Sequence, residues 1–249
     1  MDKIDVQLIH CDNYKFLTQL ACLITRGANK FKNVDELLSA IRNSPWDDDK
    51  IKDTLKLPHS KISRFTDFIF VITGASRRFL AQLTTHHVGI SIMSGSLQYS
   101  DYSKNTLENA FVVPYDLLKM KNENLVNKYN ALQLNKLNES CNLIELGLSN
   151  DDAGYVMPQA LRNVLLVKIN LEELINICKT RLCKRNTIET RYVIAKMLES
   201  VLNVCDLDFE LFKPNCCNEG KYSCKQPLRV KSINEYLATE FGGINDNIS

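Results

Sequence analysis

Residues 82–103, QLTTHHVGISIMSGSLQYSDYS, gather Gln82, the adjacent pair His86-His87, Ser94, Ser96 and two tyrosines into one stretch. Imidazole can ligate a metal, shuttle a proton or hydrogen-bond a cofactor. Neighbouring residues on a helix point about 100° apart, so His86 and His87 cannot grip one ion from one face. The other two histidines, His10 and His59, stand at no recognisable ligand spacing to the pair, and zinc needs three or four ligands. A helix C-terminus, whose dipole favours imidazole, is an equally simple reason for two histidines here. A second candidate is PNCCNEGKYSC, with Cys216, Cys217 and Cys224, but it lacks the second CxxC or the histidine that a zinc site would use. The expectation is no metal. No GxGxxG, P-loop, HExxH or GxSxG pattern occurs, so the residues alone nominate no nucleophile, base or metal centre.

The chain that must position these groups has 249 residues, 45% hydrophobic and 24% charged, with a formal net charge of +2. That is globular composition, and the length is enough for a sizeable core. A charge so near zero gives no ground for a nucleic-acid or membrane-surface partner. No apolar stretch reaches the roughly 18 residues of a membrane span. The N-terminus has no charged-then-apolar signal pattern. Nine scattered cysteines without such a signal read as reduced thiols, and a cytoplasmic location is expected.

Residues 4–10 alternate as a strand, and Asp12 or Asn13 can cap a helix running to about Arg26. NVDELLSAIR predicts a helix capped by Asn33, with Val34, Leu37, Leu38 and Ile41 on one face. SPWDDD, with Pro45 after Ser44, starts a third helical turn. FTDFIFVITGAS predicts a strand ending at Gly74. ASRRFLAQLTTHH follows as a helix facing inward through Phe79, Leu80 and Leu83, then a polar loop over 89–103. NAFVVPYDLL reads as a strand stopped by Pro114, and 115–138 as one long helix. AGYVMP and NVLLVKIN read as short strands. LEELINICKTRL and TIETRYVIAKMLESVL are amphipathic helices. The mixed order predicts an α+β class in one domain, residues 1–249, with 226–249 as a flexible tail.

The order of these segments resembles the signature of the flavin-dependent thymidylate synthases, the ThyX family. FIFVITGASRRFLAQLTTHHVGISIMSGSLQYS is similar to that family's strand, its helix bearing Gln and Arg-His-Arg, and the Ser-x-Arg-Tyr that follows. Gly74, Ser76, Arg77, Gln82, His86, Gly89, Ser91, Ser96 and Tyr99 fall in register. A second block, residues 153–198, matches through Ala153, Pro158, Asn170, Leu174, Asn176, Arg181, Glu189 and Arg191. FKPNCCNEGKYSC resembles the Cys-bearing tail of clostridial-type members. The likeness spans about residues 60–225.

This resemblance implies an α+β subunit working as a homotetramer, with FAD sites assembled from several subunits. The implied reaction is reductive methylation of dUMP, or a related pyrimidine nucleotide, to dTMP. Methylenetetrahydrofolate supplies the carbon and NADPH the reducing equivalents. Carried onto this chain, Thr85, His86, His87, Asn170, Asn176 and Arg185 are the cofactor-binding positions. Gln82, Ser94, Gly95, Ser96, Leu97, Gln98 and Arg181 face the nucleotide, with Arg181 and Ser96 closest to the chemistry. Arg181 would stabilise negative charge on the pyrimidine. Read without the resemblance, Arg181 and Arg191 are solvated helix cations, one of them pairing with Glu189, and Asn170 is an N-cap.

The chain departs from the family pattern at several charged positions. Thr85-His86-His87 stands for Arg-His-Arg, Gln98 for the Arg after the loop serine, and Gly154 for the Arg of an Ala-Arg-x-x-Leu-Pro turn. Ser94-Gly95 replaces an acidic or amide residue, Asn186-Thr187 replaces Ala-Gln, and Glu172 occupies a basic position. SRFTDF carries no counterpart of the family's Glu-His pair. A hydrogen bond to a charged group is worth roughly 1.5–3 kcal/mol. Two lost phosphate arginines therefore cost about 3–6 kcal/mol, or roughly 10²–10⁴ in affinity. Arg77, Arg78 and Arg162 are the candidates to replace them. Two roles follow: a diverged synthase, or a paralogue that kept the fold for binding or structure.

Overall fold

The computed structural model describes residues 3–57, 60–97, 110–218, 220 and 224–242. Its centre is an antiparallel sheet in the order β1-β2-β4-β3, formed by Asp5–Cys11 (β1), Asp67–Ser76 (β2), Ile90–Ser94 (β3) and Arg162–Asn170 (β4). Val6, Phe68, Phe70, Ile72, Leu165, Val167 and Ile169 alternate onto one face and are buried. Burying each large apolar side chain is worth roughly 1.5–3 kcal/mol. Helices Leu171–Arg181 (named α8 below, in chain order) and Ile188–Leu202 (α9) cover that face through Leu174, Ile177, Val193, Ile194, Met197 and Leu198.

The earlier helices are Tyr14–Gly27 (α1), Val34–Asn43 (α2), Asp48–Leu55 (α3) and Arg77–Leu83 (α4). Those between β3 and β4 are Tyr115–Lys119 (α5), Glu123–Glu145 (α6) and Asn150–Ala153 (α7). Asn215–Asn218 (α10) and Ile233–Phe241 (α11) close the chain. Asn13 accepts from the Phe16 amide, and Asn33 caps α2 through the Glu36 amide, as their side chains predict.

Several expectations need correction. The polar loop over 89–103 contains β3: Ile90 pairs with Ile169 and Ile92 with Val167. Gln98 to Ser103 lie outside the described residues. The strand expected in NAFVVPYDLL is one bridge, Phe111 to Leu161, before Pro114 opens α5. The single helix over 115–138 is two, broken where Lys121 takes φ 49°, and Asn122 caps the second. AGYVMP is α7 followed by a 3₁₀ turn, Gly154–Val156. The third helical turn is a full helix, capped by Asp47. β2 runs past Gly74 to Ser76, because a register shift between Thr73 and Ala75 absorbs the glycine at φ 78°. Within the expected tail Ile233–Phe241 is helical: in α11 Tyr236 is fully buried, its hydroxyl donates to Leu182 O at 2.9 Å, and Phe241 packs edge-on to Tyr192.

Candidate functional site

The site forms where α4, the loop to β3, and α8 meet. Ser76 ends β2 and caps α4 by accepting from the Phe79 amide. Its own N–H and hydroxyl both donate to the Glu189 carboxylate, at 2.7 and 2.6 Å, which ties the start of α4 to the start of α9. Glu189 therefore pairs with Ser76, not with an arginine. Thr84 and Thr85 turn their hydroxyls onto the Ala81 and Gln82 carbonyls, at 3.2 and 2.8 Å, and α4 stops there. His86 and His87 consequently sit beyond the helix rather than on its last turn.

Arg181, in the last turn of α8, is the hub. Its Nε donates to His86 Nε2 at 3.1 Å, and its Nη2 to Thr85 Oγ1 at 2.7 Å and the Gln82 carbonyl at 3.3 Å. Its Nη1 donates to Gln82 Oε1 at 3.3 Å and Asn186 Oδ1 at 3.4 Å. Because a guanidinium only donates, His86 Nε2 must carry the lone pair and Nδ1 the proton. Nδ1 donates to Glu173 Oε1 at 2.7 Å, and Asn176 Nδ2 donates to the other oxygen of that carboxylate at 3.1 Å. Glu173 is buried, and the carboxylate, the partly buried imidazole and the guanidinium form one connected relay.

Asn170 caps α8 by accepting from the Glu173 amide at 2.9 Å, while its own N–H donates to the Gly89 carbonyl. Gly89, at φ 75°, leaves no room for a side chain: an added Cβ would lie 2.4 Å from Asn170 Nδ2. The Gly95 amide donates to Asn163 Oδ1 and Val164 O, and its carbonyl accepts from Arg77 Nη2 at 2.9 Å. Asn163 Nδ2 is buried without a hydrogen-bond partner among the described residues. Leu97 lies against Gly154, whose absent side chain would meet it at 3.5 Å.

The structure thus brings together Gln82, Thr85, His86, Asn170, Asn176 and Arg181. Ser94 ends β3 and Gly95, Ser96 and Leu97 follow it, while His87 and Arg185 are exposed at the margin. Neither Arg181 nor Arg191 is a solvated helix cation. Arg191 is buried and donates to Glu240 at 2.8 Å. Of the substitute cations, Arg162 is committed to the Phe111 and Gly74 carbonyls. Arg78 lines a cavity of about 830 Å³, shared with Tyr129, Lys136, Tyr155, Asn186 and Glu189, which adjoins the relay through Asn186. Burial, reinforced by the Glu189 carboxylate, pushes the Tyr129 phenol up. Glu172, at a basic position of the family pattern, pairs with Arg64.

Sequence reading missed Glu173, Asn163 and the linking role of Asn186. Only Glu173 carried a signal, the Asn-x-x-Glu capping spacing, and its carboxylate turns to His86 and Asn176 instead. Among the described residues no group of three or more His, Cys, Asp or Glu side chains is placed to hold a metal. No helix there is long and apolar enough to cross a membrane.

An antiparallel sheet under two helices, carrying an arginine–imidazole–carboxylate relay beside a glycine-rich loop, defines the class. Residues 12–205 match the family model described as thymidylate synthase complementing protein (Thy1), and the chain belongs to that family. It is 31% identical to the Pyrococcus horikoshii protein named flavin-dependent thymidylate synthase, over 67% of this chain and 69% of that one. It is 31% identical to the protein of the same name from Pyrococcus abyssi, and the match spans 57% of each. The fold matches Thymidylate Synthase X from Helicobacter pylori, a structure with FAD and dUMP, with TM-score 0.60 and 20% identity over 79% of this chain and 92% of that one.

Proposed function

We propose that the chain is a flavin-dependent thymidylate synthase that methylates dUMP, or a closely related pyrimidine nucleotide, using methylenetetrahydrofolate and NADPH, in a homotetramer. The observation that carries this reading is the single network joining Gln82, His86, Asn176 and Arg181 through Glu173. Those positions come from two sequence blocks about 90 residues apart. The family names of the relatives support it.

The residues present suit a flavin. Asn163 offers a buried, unsatisfied amide N–H beside Gly95, and Gly89 keeps the Asn170 amide uncovered by a side chain. His86, Asn170 and Asn176 would hold the ring, with Thr85, His87 and Arg185 around it. FAD supplies the hydride when bound. Gln82, Ser94, Gly95, Ser96, Leu97 and Gln98 would take the nucleotide. Arg181 places fixed positive charge where negative charge develops on the pyrimidine, and its preorganisation by His86 and Thr85 makes that stabilisation effective. No side-chain nucleophile is required, which suits a site without one.

A second reading, a non-catalytic paralogue, is favoured by Thr85, His87, Gln98 and Gly154, which stand where the family pattern has arginines. The purified protein decides between them. A synthase takes up added FAD, turns yellow and converts dUMP to dTMP with the full set of substrates. A colourless, inactive protein ends the enzymatic reading.

A further inference from the structure

We propose that Thr85 and Asn186 are positioning residues that fix the Arg181 guanidinium in one orientation, and that they do so in place of the arginine and alanine of the family pattern. The inference rests on Arg181 being the pyrimidine-facing cation. Every N–H of Arg181 has an acceptor, and two of the acceptors are these departures from the pattern. An arginine side chain at position 85 would offer Arg181 no acceptor, because a guanidinium only donates. The threonine hydroxyl instead accepts from Nη2 at 2.7 Å while donating to the Gln82 carbonyl at 2.8 Å. Alanine at position 186 would offer no acceptor. Asn186 is itself held in place: its Nδ2 donates to the Thr180 carbonyl at 2.7 Å and its backbone N–H to the Cys183 carbonyl at 2.9 Å, so Oδ1 is turned to Arg181.

The distances divide the labour. Nε and Nη2 carry the short contacts, at 3.1 and 2.7 Å, whereas both Nη1 contacts are long, at 3.3 and 3.4 Å. The guanidinium is therefore anchored through His86 and Thr85. The Nη1 edge, with the longer contacts to Gln82 and Asn186, is the edge that exchanges acceptors for a nucleotide oxygen. Thr85 is the anchor and Asn186 the exchangeable guide.

The test uses full-length protein labelled at arginine Nε. The wild type should give a single, slowly exchanging Arg181 Nε–H signal. The Thr85→Val/Asn186→Ala double variant should lose it or exchange it at least about tenfold faster, and Thr85→Ser should keep it. A signal unchanged in the double variant, with circular dichroism melts confirming the fold, overturns the proposal. In turnover, Thr85→Val should lower kcat/KM for dUMP by about tenfold or more, with Thr85→Ser recovering most of the loss. An unaltered kcat/KM in Thr85→Val also overturns it. A wild type without turnover refutes the synthase reading, while the labelled-arginine signal still decides the positioning.

Discussion

Glu173, which no motif nominated, ties His86 and Asn176 together. It is buried, and its carboxylate accepts from both His86 Nδ1 and Asn176 Nδ2. Glu173→Gln keeps the shape but exchanges one acceptor for a donor. An amide NH₂ facing His86 moves the ring proton to Nε2, where it meets the Arg181 Nε–H and breaks that contact. Ring ¹⁵N shifts should therefore report protonated Nδ1 in the wild type and protonated Nε2 in the variant, with FAD affinity down about tenfold and urea stability lower by about 1–3 kcal/mol. An unchanged tautomer would remove Glu173 from the relay. Gln82, His86 and Arg181 were readable because their spacing survives in the family signature. Glu173 and Asn163 were not, because burial converts an ordinary helix-cap carboxylate and a strand asparagine into site residues, and burial is a property of the packed chain.

At the level of elements, local signals worked where one residue decides: Asn33 and Asn170 cap helices, and the alternation in VQLIH and FIFVITG marks strands. They failed where tertiary pairing decides. ISIMS becomes a strand because β4 offers it a free edge, while among the described residues AFVV pairs only through the Phe111–Leu161 bridge and the Val112 N–H to Ala160 O. The last helix is the clearest case. α11 reads as tail by position, yet Glu240 pairs with Lys184, just ahead of α9, and with Arg191 inside it. Burial alone would raise the Glu240 carboxyl, but hydrogen bonds from Lys184 and Arg191 outweigh it and leave the group below its ordinary 4.5. Its contribution is therefore present above that ordinary value and is lost as pH falls through the lowered one. Glu240→Gln should cost about 1–3 kcal/mol of urea stability at neutral pH, since buried Arg191 loses its carboxylate. The gap to wild type should hold down to about pH 5 and then close with acid. A gap that persists unchanged into strong acid would show that the ion pair is not its source.

For the whole molecule, the sheet's second face is the feature that one chain leaves unexplained. Register lines Val71, Leu166 and Met93 into one rung, with Val164 two residues along β4. Met93 is 71% exposed, Val164 56% and Leu166 40%. A contiguous apolar patch of this kind normally marks an interaction surface. The homotetramer proposed for the enzyme supplies the occupant, another copy of the chain, and a flavin site shared between subunits would depend on the same contact. Leu166→Glu tests the link without touching the core, because its neighbours Leu165 and Val167 point inward and stay buried. Sedimentation velocity should give a tetramer for the wild type and smaller species for the variant, with FAD retention falling in parallel. A wild type that sediments as a 28.4 kDa monomer, or a variant that remains tetrameric and yellow, would put the subunit contact elsewhere and leave this face as the surface of a self-sufficient subunit.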